Sequence, residues 1–370
     1  MFNNYYERVF CMKFGFFTLT DNPIEYGAER KDPNQLIKDV VEQGVYAEEL
    51  GFNSVWLPEH HFSVFGVLPS PSMALTYIAA KTKKVKLAPA TVLLPASHPI
   101  RMAEEYALLD LLSDGRAIFS AGRGYDKREY DVFQVDFNRS RDIFFEQLDI
   151  IKKAWTEKSF SYNGEFYQFP EVELTPRPVQ DPHPPIYVAA FSRPSIEKAA
   201  EMGENVIFAP FAATMVFGSV QNAVNEFKKL SESKGFKGKQ ARCSYFLNVV
   251  ESEKEVEETK QRMLKYFNGL VPAFPSDPST APPHIRYFVD IVYKLKNMKT
   301  SDLSEQSIIV GDAEYCVEVL KKVEAAGIEE VIIYFDFGGL SHKETLKSME
   351  RFSKYVMPHF QDSNISISAR

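Results

Sequence analysis

Short apolar runs alternate with longer amphipathic stretches along most of the chain. The runs lie at about residues 13–20, 54–58, 86–94, 116–122, 186–190, 205–210, 244–250 and 330–335. Each run is a continuous apolar block, which is typical of strands buried on both faces of a parallel sheet. No two-residue hairpin turn joins any two of the runs. The pattern therefore predicts eight parallel strands.

Helices are predicted between most of these strands, because apolar residues recur there at helical spacing. They cover about residues 34–50, 70–82, 100–113, 139–156, 194–202, 254–267, 313–326 and 343–358, with one more ending near residue 234. Eight parallel strands followed by helices close into a barrel. We predict an α/β fold, a (β/α)8 TIM barrel. The alternative, an open doubly wound sheet, is disfavoured because no glycine-rich phosphate fingerprint follows the first strand.

Two segments interrupt the alternation. A small hairpin excursion is predicted at about 160–184, and a proline-rich insertion at about 269–306 is a candidate lid. The remaining pattern is continuous, so we predict one barrel domain over residues 12–360. Residues 1–11 and 361–370 are expected to be flexible ends.

Composition limits the possible partners and the compartment. The formal net charge is −7, whereas binding to a phosphate backbone needs clustered lysine and arginine, so nucleic acid is not an expected partner. No apolar stretch approaches the ~20 residues that span a bilayer, and no export signal is present. The three cysteines, Cys11, Cys243 and Cys316, are scattered without metal or redox spacing. These features predict a cytoplasmic protein.

A glutamate and two adjacent histidines, Glu59, His60 and His61, follow the second predicted strand. In a barrel of this kind, catalytic residues lie at the carboxyl ends of the strands. A histidine there can hold a proton near neutral pH and pass it to a bound reactant. Each histidine fits equally well as a residue that only caps the strand. A metal site is not indicated, because adjacent side chains point apart and no HExxH spacing is present.

Groups suited to a phosphate follow two neighbouring strands. Arg123 lies between two glycines after the fourth strand, and Ser192 and Ser195 lie at a helix start after the fifth. A tight turn and ordinary N-capping explain each motif alone, whereas the two together favour a phosphorylated cofactor. After the third strand, the small residues Ala90 and Thr91 would let the backbone lie against a flat ring.

Five further sequence segments are informative because they occur together and in a fixed order along the chain. They are MKFGFF at 12–17, VWLPEHHFSVFG at 55–66, LLPASHPIRMAEEYALLDLLSDGR at 93–116, RGYDKREYDVF at 123–133, and EVIIYFDFGG through VMPHF at 330–360. With these segments the chain resembles the bacterial luciferase-like flavin monooxygenases. The likeness runs from Met12 to about Phe360, apart from the insertion.

The resemblance implies a TIM barrel that uses FMN in its reduced form, FMNH2, delivered by a separate flavin reductase. The implied activity is that of a two-component monooxygenase, in which reduced flavin and O2 form a C4a-hydroperoxide that oxygenates a small organic or carrier-bound substrate. Relatives of this kind form dimers through their early helices, so a homodimer is expected. The insertion is expected to act as a lid that keeps water away from the flavin.

The resemblance also assigns site residues. His60 matches the catalytic histidine of the family. The implied cofactor contacts are Glu59, Ala90, Thr91, Arg123, Ala190, Ser192 and Ser195. Among them, Arg123 and the two serines match phosphate ligands, and Ala90–Thr91 matches a non-prolyl cis peptide against the flavin ring.

The chain departs from the luciferase pattern at two positions. Luciferase has a reactive cysteine where Gly122 stands and a glutamate where Phe191 stands. Both changes reshape the pocket, so light emission and a long-chain aldehyde substrate are not implied, and the sequence does not indicate the substrate. Two alternatives stay open: a deazaflavin-dependent oxidoreductase that transfers hydride, and a non-catalytic partner subunit.

Overall fold

The computed structural model describes residues 11–62, 66–190, 192–273, 279 and 287–361. Its strands are β1 Lys13–Phe17, β2 Ser54–Leu57, β3 Lys86–Pro89, β4 Val92–Leu93, β5 Phe119–Gly122, β6 Phe160–Asn163, β7 Gln168–Val172, β8 Ile186–Ala189, β9 Asn205–Phe208, β10 Ala241–Val249, β11 Ile308–Gly311 and β12 Glu330–Tyr334. Its helices are α1 Pro33–Glu49, α2 Pro71–Lys81, α3 Pro99–Leu112, α4 Lys127–Phe133, α5 Ser140–Thr156, α6 Arg193–Met202, α7 Pro210–Phe217, α8 Val220–Ser233, α9 Glu253–Leu270, α10 Tyr287–Asn297, α11 Ala313–Ala325 and α12 His342–Tyr355.

The predicted barrel is confirmed. Parallel strands follow the order β3, β2, β1, β12, β10, β9, β8, β5, β4, and β11 is added beside β10. Strands β3 and β4 are consecutive pieces of one barrel position, and they pair with β2 and β5 respectively. A bridge between Leu87 and Ala117 also links β3 to the segment that leads into β5. The sheet therefore curls into a nearly closed barrel surrounded by helices.

The side chains of each strand alternate between two apolar layers. In β12, Val331 and Ile333 belong to the layer between the strands and the helices, whereas Ile332 and Tyr334 belong to the layer inside the barrel. Because successive strand residues point to opposite faces, continuous apolar runs fill both layers at once. The inner layer forms the floor under the carboxyl ends of the strands.

The structure differs from the predicted elements in several places. Strand β11 was not predicted, because Ile308–Gly311 directly follows the proline-rich insertion. Helix α4 was also missed, since its sequence KREYDVF is short and mostly charged. The single helix expected to end near residue 234 is two helices, α7 and α8. They are separated at Gly218, whose φ of 80° ends α7, and at Ser219, which caps α8.

The small hairpin is confirmed as the antiparallel pair β6 and β7. Residues 274–278 and 280–286 of the candidate lid lie outside the described residues, and the rest of the lid includes helix α10. Nearly all of both predicted flexible ends also lies outside the described residues. The assignment of residues 12–360 to one domain stays a prediction. Within the described part of the chain, no helix is long and apolar enough to cross a membrane.

Candidate active site

A cavity of about 540 Å³ opens at the carboxyl ends of the barrel strands. This volume is within the usual range for sites that bind cofactors and small molecules. Seven of the eight predicted site residues line it, namely Glu59, His60, Ala90, Thr91, Arg123, Ser192 and Ser195. The eighth, Ala190, lies in the apolar layer outside the barrel, and its neighbour Ala189 lines the cavity instead.

His60 is held at the cavity wall by contacts on both of its sides. Strand β2 ends at Leu57, and the backbone N–H of His60 then donates to the carbonyl of Leu68 at 3.0 Å. The imidazole Nδ1 lies 3.7 Å from Oε1 of Glu129, a buried carboxylate of α4 that also accepts from the backbone N–H of His61 at 2.9 Å. Glu129 therefore lies within ion-pair distance of the His60 ring, although sequence reasoning did not single it out.

Glu59 connects two strand ends. Its Oε2 accepts from the backbone N–H of Leu93 at 2.9 Å, and its Oε1 lies 3.3 Å from Nε2 of His61. The ring of His61 packs edge-on against Phe133, with ring centroids 4.8 Å apart. Unlike His60, His61 does not line the cavity. Its contacts support the wall that carries His60.

The third strand position is interrupted at the cavity. The peptide bond between Ala90 and Thr91 is cis, as the resemblance implies. The N–H of Ala90 donates to the carbonyl of Leu57 at 2.6 Å. A Cβ placed on Gly122 would lie 2.2 Å from Oγ1 of Thr91, far inside van der Waals contact. The cysteine that luciferase carries at this position therefore does not fit unless Thr91 moves.

One end of the cavity is lined by an arginine guanidinium and serine hydroxyl groups. Arg123 donates from Nη1 to Oγ of Ser140 at 3.2 Å. The hydroxyls of Ser192 and Ser195 lie 3.0 Å apart at the start of α6, and the Ser192 side chain makes no capping hydrogen bond. N-capping therefore does not account for Ser192. Hydroxyls at a helix N-terminus beside a guanidinium suit a phosphate group.

Arg141 was missed by sequence reasoning. It lies on α5, donates from Nη2 to the carbonyl of Pro194 at 3.2 Å, and lines the cavity. The contact places a second guanidinium beside the start of α6. In the sequence, Arg141 is one of several polar positions on an amphipathic helix, so its spacing carries no signal for this role.

Two buried carboxyls lie close to the strand ends without lining the cavity. Burial raises the pKa of Asp21 to about 7, against the lowering effect of the hydrogen bond that Tyr26 donates to it. Burial likewise raises the pKa of Asp336, which accepts from Oγ1 of Thr18 at 3.2 Å. Burial therefore favours the neutral form of both carboxyls, and for Asp21 the shift reaches the neutral pH range.

Comparisons with known proteins identify the family of this chain. The sequence model for "luciferase-like monooxygenase" matches residues 12–330. The alkanal monooxygenase alpha chain of the Kryptophanaron alfredi symbiont is 30% identical over 95% of this chain and 99% of its own length. The oxygenase component of a flavin-dependent trigonelline monooxygenase from Acinetobacter baylyi is 28% identical over 96% of this chain and 97% of its own.

A solved structure is also similar. The crystal structure of monooxygenase RslO1 from Streptomyces bottropensis superimposes with a TM-score of 0.78 at 25% identity, over 95% of this chain and 100% of its own. The family match covers most of the chain and includes the cavity-lining strands from β1 to β10. The chain therefore belongs to the luciferase-like monooxygenases, a family of flavin-dependent oxygenating enzymes.

Proposed function

We propose that this enzyme is the oxygenase of a two-component system that uses reduced FMN and O2 to oxygenate a small organic substrate. The main support for the proposal is that one cavity is lined by Arg123, Ser192 and Ser195 at one end and also by His60. The relative that is named an oxygenase component supports a separate flavin reductase as the partner.

The residues present fit FMN. Arg123 and Arg141 would pair with the negative phosphate, and Ser192 and Ser195 would donate hydrogen bonds to it. At the strand ends, the small residue Ala90 leaves room for the flat ring system. A reduced flavin supplies, when bound, the electrons that activate O2.

His60 is the residue to which we assign proton transfer. Its Nδ1 faces Glu129, which leaves Nε2 as the nitrogen that exchanges a proton with a bound reactant. Glu129 is nearly inaccessible to solvent, so its carboxylate holds the ring in one orientation. The apolar rings on the opposite side of the cavity exclude water from the reacting groups.

Replacing Arg123 with alanine tests the phosphate assignment. We expect the binding of reduced FMN to weaken by about 1.5 to 3 kcal/mol, because one charge-assisted hydrogen bond is lost. An anaerobic titration of the variant with FMNH2 measures the change. The same titration with a reduced deazaflavin tests the alternative cofactor, whose tighter binding to the native chain would contradict the proposal.

Arg193→Ala is the matched control for this variant. Arg193 also stands at the start of α6, but its guanidinium pairs with Glu226 and packs 4.8 Å from the ring centre of Phe217, and it does not line the cavity. Its removal should leave FMNH2 affinity unchanged. If Arg123→Ala and Arg193→Ala behaved alike, Arg123 would not be a phosphate ligand.

We also propose that the enzyme is a homodimer formed through α2 and α3. These helices expose large apolar side chains, namely Met73, Tyr77, Leu108, Leu111 and Leu112. Met73→Glu is expected to shift the sedimentation coefficient to that of a monomer. Ile24→Glu is the control, because Ile24 is equally exposed, at 75%, on another surface. A native chain that sediments as a monomer would rule out the dimer.

A cytoplasmic location completes the proposal. Cys243 and Cys316 are buried free thiols. Unpaired cysteines of this kind suit a reducing compartment.

A further inference from the structure

The cavity has two chemically different halves. One half carries the carboxyl, imidazole and guanidinium side chains that line the cavity, which belong to Glu59, His60, Arg123, Asp126, Glu129 and Arg141. All six residues come from the segments that follow β2 and β5 or from α4 and α5. The half formed by β1, β10, β12, α9 and α10 presents neutral side chains alone among the lining residues. A cofactor held by Arg123 and the α6 serines leaves this neutral half for the substrate.

Four aromatic rings dominate the neutral half. Tyr334 has its ring centroid 5.5 Å from that of Phe17, 5.1 Å from Phe246 and 6.0 Å from Tyr266. The rings of Phe246 and Tyr266 are 4.9 Å apart. Because aromatic rings associate by their faces and edges, this cluster favours a planar aromatic guest over a flexible alkyl chain.

Tyr334 is the last residue of β12 and is completely buried. Its hydroxyl has no hydrogen-bond partner among the described residues. By contrast, the buried hydroxyls of Tyr26 and Tyr187 donate to Asp21 and to Gln240. A buried hydroxyl without a partner is costly, so one that belongs to a cavity-lining residue marks a place where a ligand can supply the acceptor.

We propose that the substrate is an uncharged aromatic compound that carries a carbonyl or similar oxygen acceptor, and that Tyr334 is the specificity residue that donates a hydrogen bond to this oxygen. The proposal rests on the proposed function for the reaction and adds the class of substrate. A cation would also be attracted to the rings. However, no carboxylate of the described residues lines this half, and the nearby Asp21 and Asp336 are buried carboxyls with raised pKa values.

Two probes of the same carbon skeleton test the hydrogen bond. Acetophenone carries a carbonyl oxygen and ethylbenzene does not, so calorimetric titration of FMN-loaded protein with each probe isolates that oxygen. Tyr334→Phe is expected to weaken acetophenone binding about five- to tenfold and to leave ethylbenzene binding unchanged. No loss with acetophenone, or an equal loss with both probes, would overturn the role of Tyr334.

Tyr106→Phe is the matched control. Tyr106 is also a buried tyrosine whose hydroxyl has no partner among the described residues, but it packs in the outer layer and does not line the cavity. Its variant should bind both probes as the native chain does. N-methylpyridinium is the cationic probe, and tighter binding of it than of acetophenone would overturn the uncharged class.

Two further measurements separate this inference from a structural role and from the proposed function. Deleting an unsatisfied buried hydroxyl should leave the melting temperature of Tyr334→Phe equal to or above that of the native chain, and a lower value would assign Tyr334 a structural role. The affinity for reduced FMN should not change in this variant, and a loss would assign the hydroxyl to the cofactor. Failure of the native chain to bind FMNH2 would defeat the proposed function, whereas the probe results decide the inference.

Discussion

An enzyme with His60 replaced by alanine is expected to bind reduced FMN normally and yet to form product about 10²- to 10⁴-fold more slowly. The proposal assigns proton transfer to the imidazole on the cavity wall, and it assigns the FMN phosphate to the arginine and serine end. Single-turnover mixing of FMNH2-loaded protein with O2 and substrate, with product quantified by mass spectrometry, measures the effect. Normal product formation would refute the assignment of His60.

Two neighbours of His60 provide controls of different kinds. His61→Ala removes a ring of the same chemistry that does not line the cavity, so it should retain most of the product yield. Glu129→Gln keeps the size of a buried side chain while it removes the charge beside Nδ1. If Glu129 positions the ring, this variant should change the pH profile of product formation while FMNH2 affinity stays the same.

The barrel and the position of the cavity could be predicted because both depend on local sequence. Each buried strand is a continuous apolar run, and polar residues that follow such runs must meet at one end of a parallel barrel. Glu59, His60, Arg123 and the α6 serines were found in this way, and the cavity contains them all. Ala190 is the exception, because the predicted position was wrong by one residue. A shift of one residue moves a side chain to the other face of a strand, and Ala189 lines the cavity instead.

Residues that reach the cavity from helices could not be predicted in this way. Glu129 contacts the backbone of His61 across 68 positions of the chain, and Arg141 contacts Pro194 across 53. Neither contact is encoded in the local spacing of residues, because each contact depends on how α4 and α5 pack on the barrel. The role of Tyr334 is similarly hidden, because an apolar strand sequence does not state which alternate side chains face inward.

Arg116 gives the clearest example of a structural role that the sequence concealed. The pattern predicted a strand that begins at this residue, but β5 begins at Phe119 and Arg116 is a buried cross-link. Its guanidinium donates to the carbonyls of Ser113 at 2.8 Å, Val85 at 3.2 Å and Ala79 at 2.9 Å. It also bonds Oγ1 and the carbonyl of Thr82 at 2.9 and 3.2 Å.

Replacing Arg116 with leucine is therefore expected to lower the free energy of unfolding by roughly 3 to 5 kcal/mol, because several buried carbonyls lose their donor together. Urea titration followed by circular dichroism measures the change. Arg101→Leu is the control: that arginine is 68% exposed on α3 and makes surface ion pairs with Glu104 and Glu105, so its loss should change stability by less than about 1 kcal/mol. Equal effects of the two substitutions would mean that the end of α2 and the segment before β5 hold together without the guanidinium.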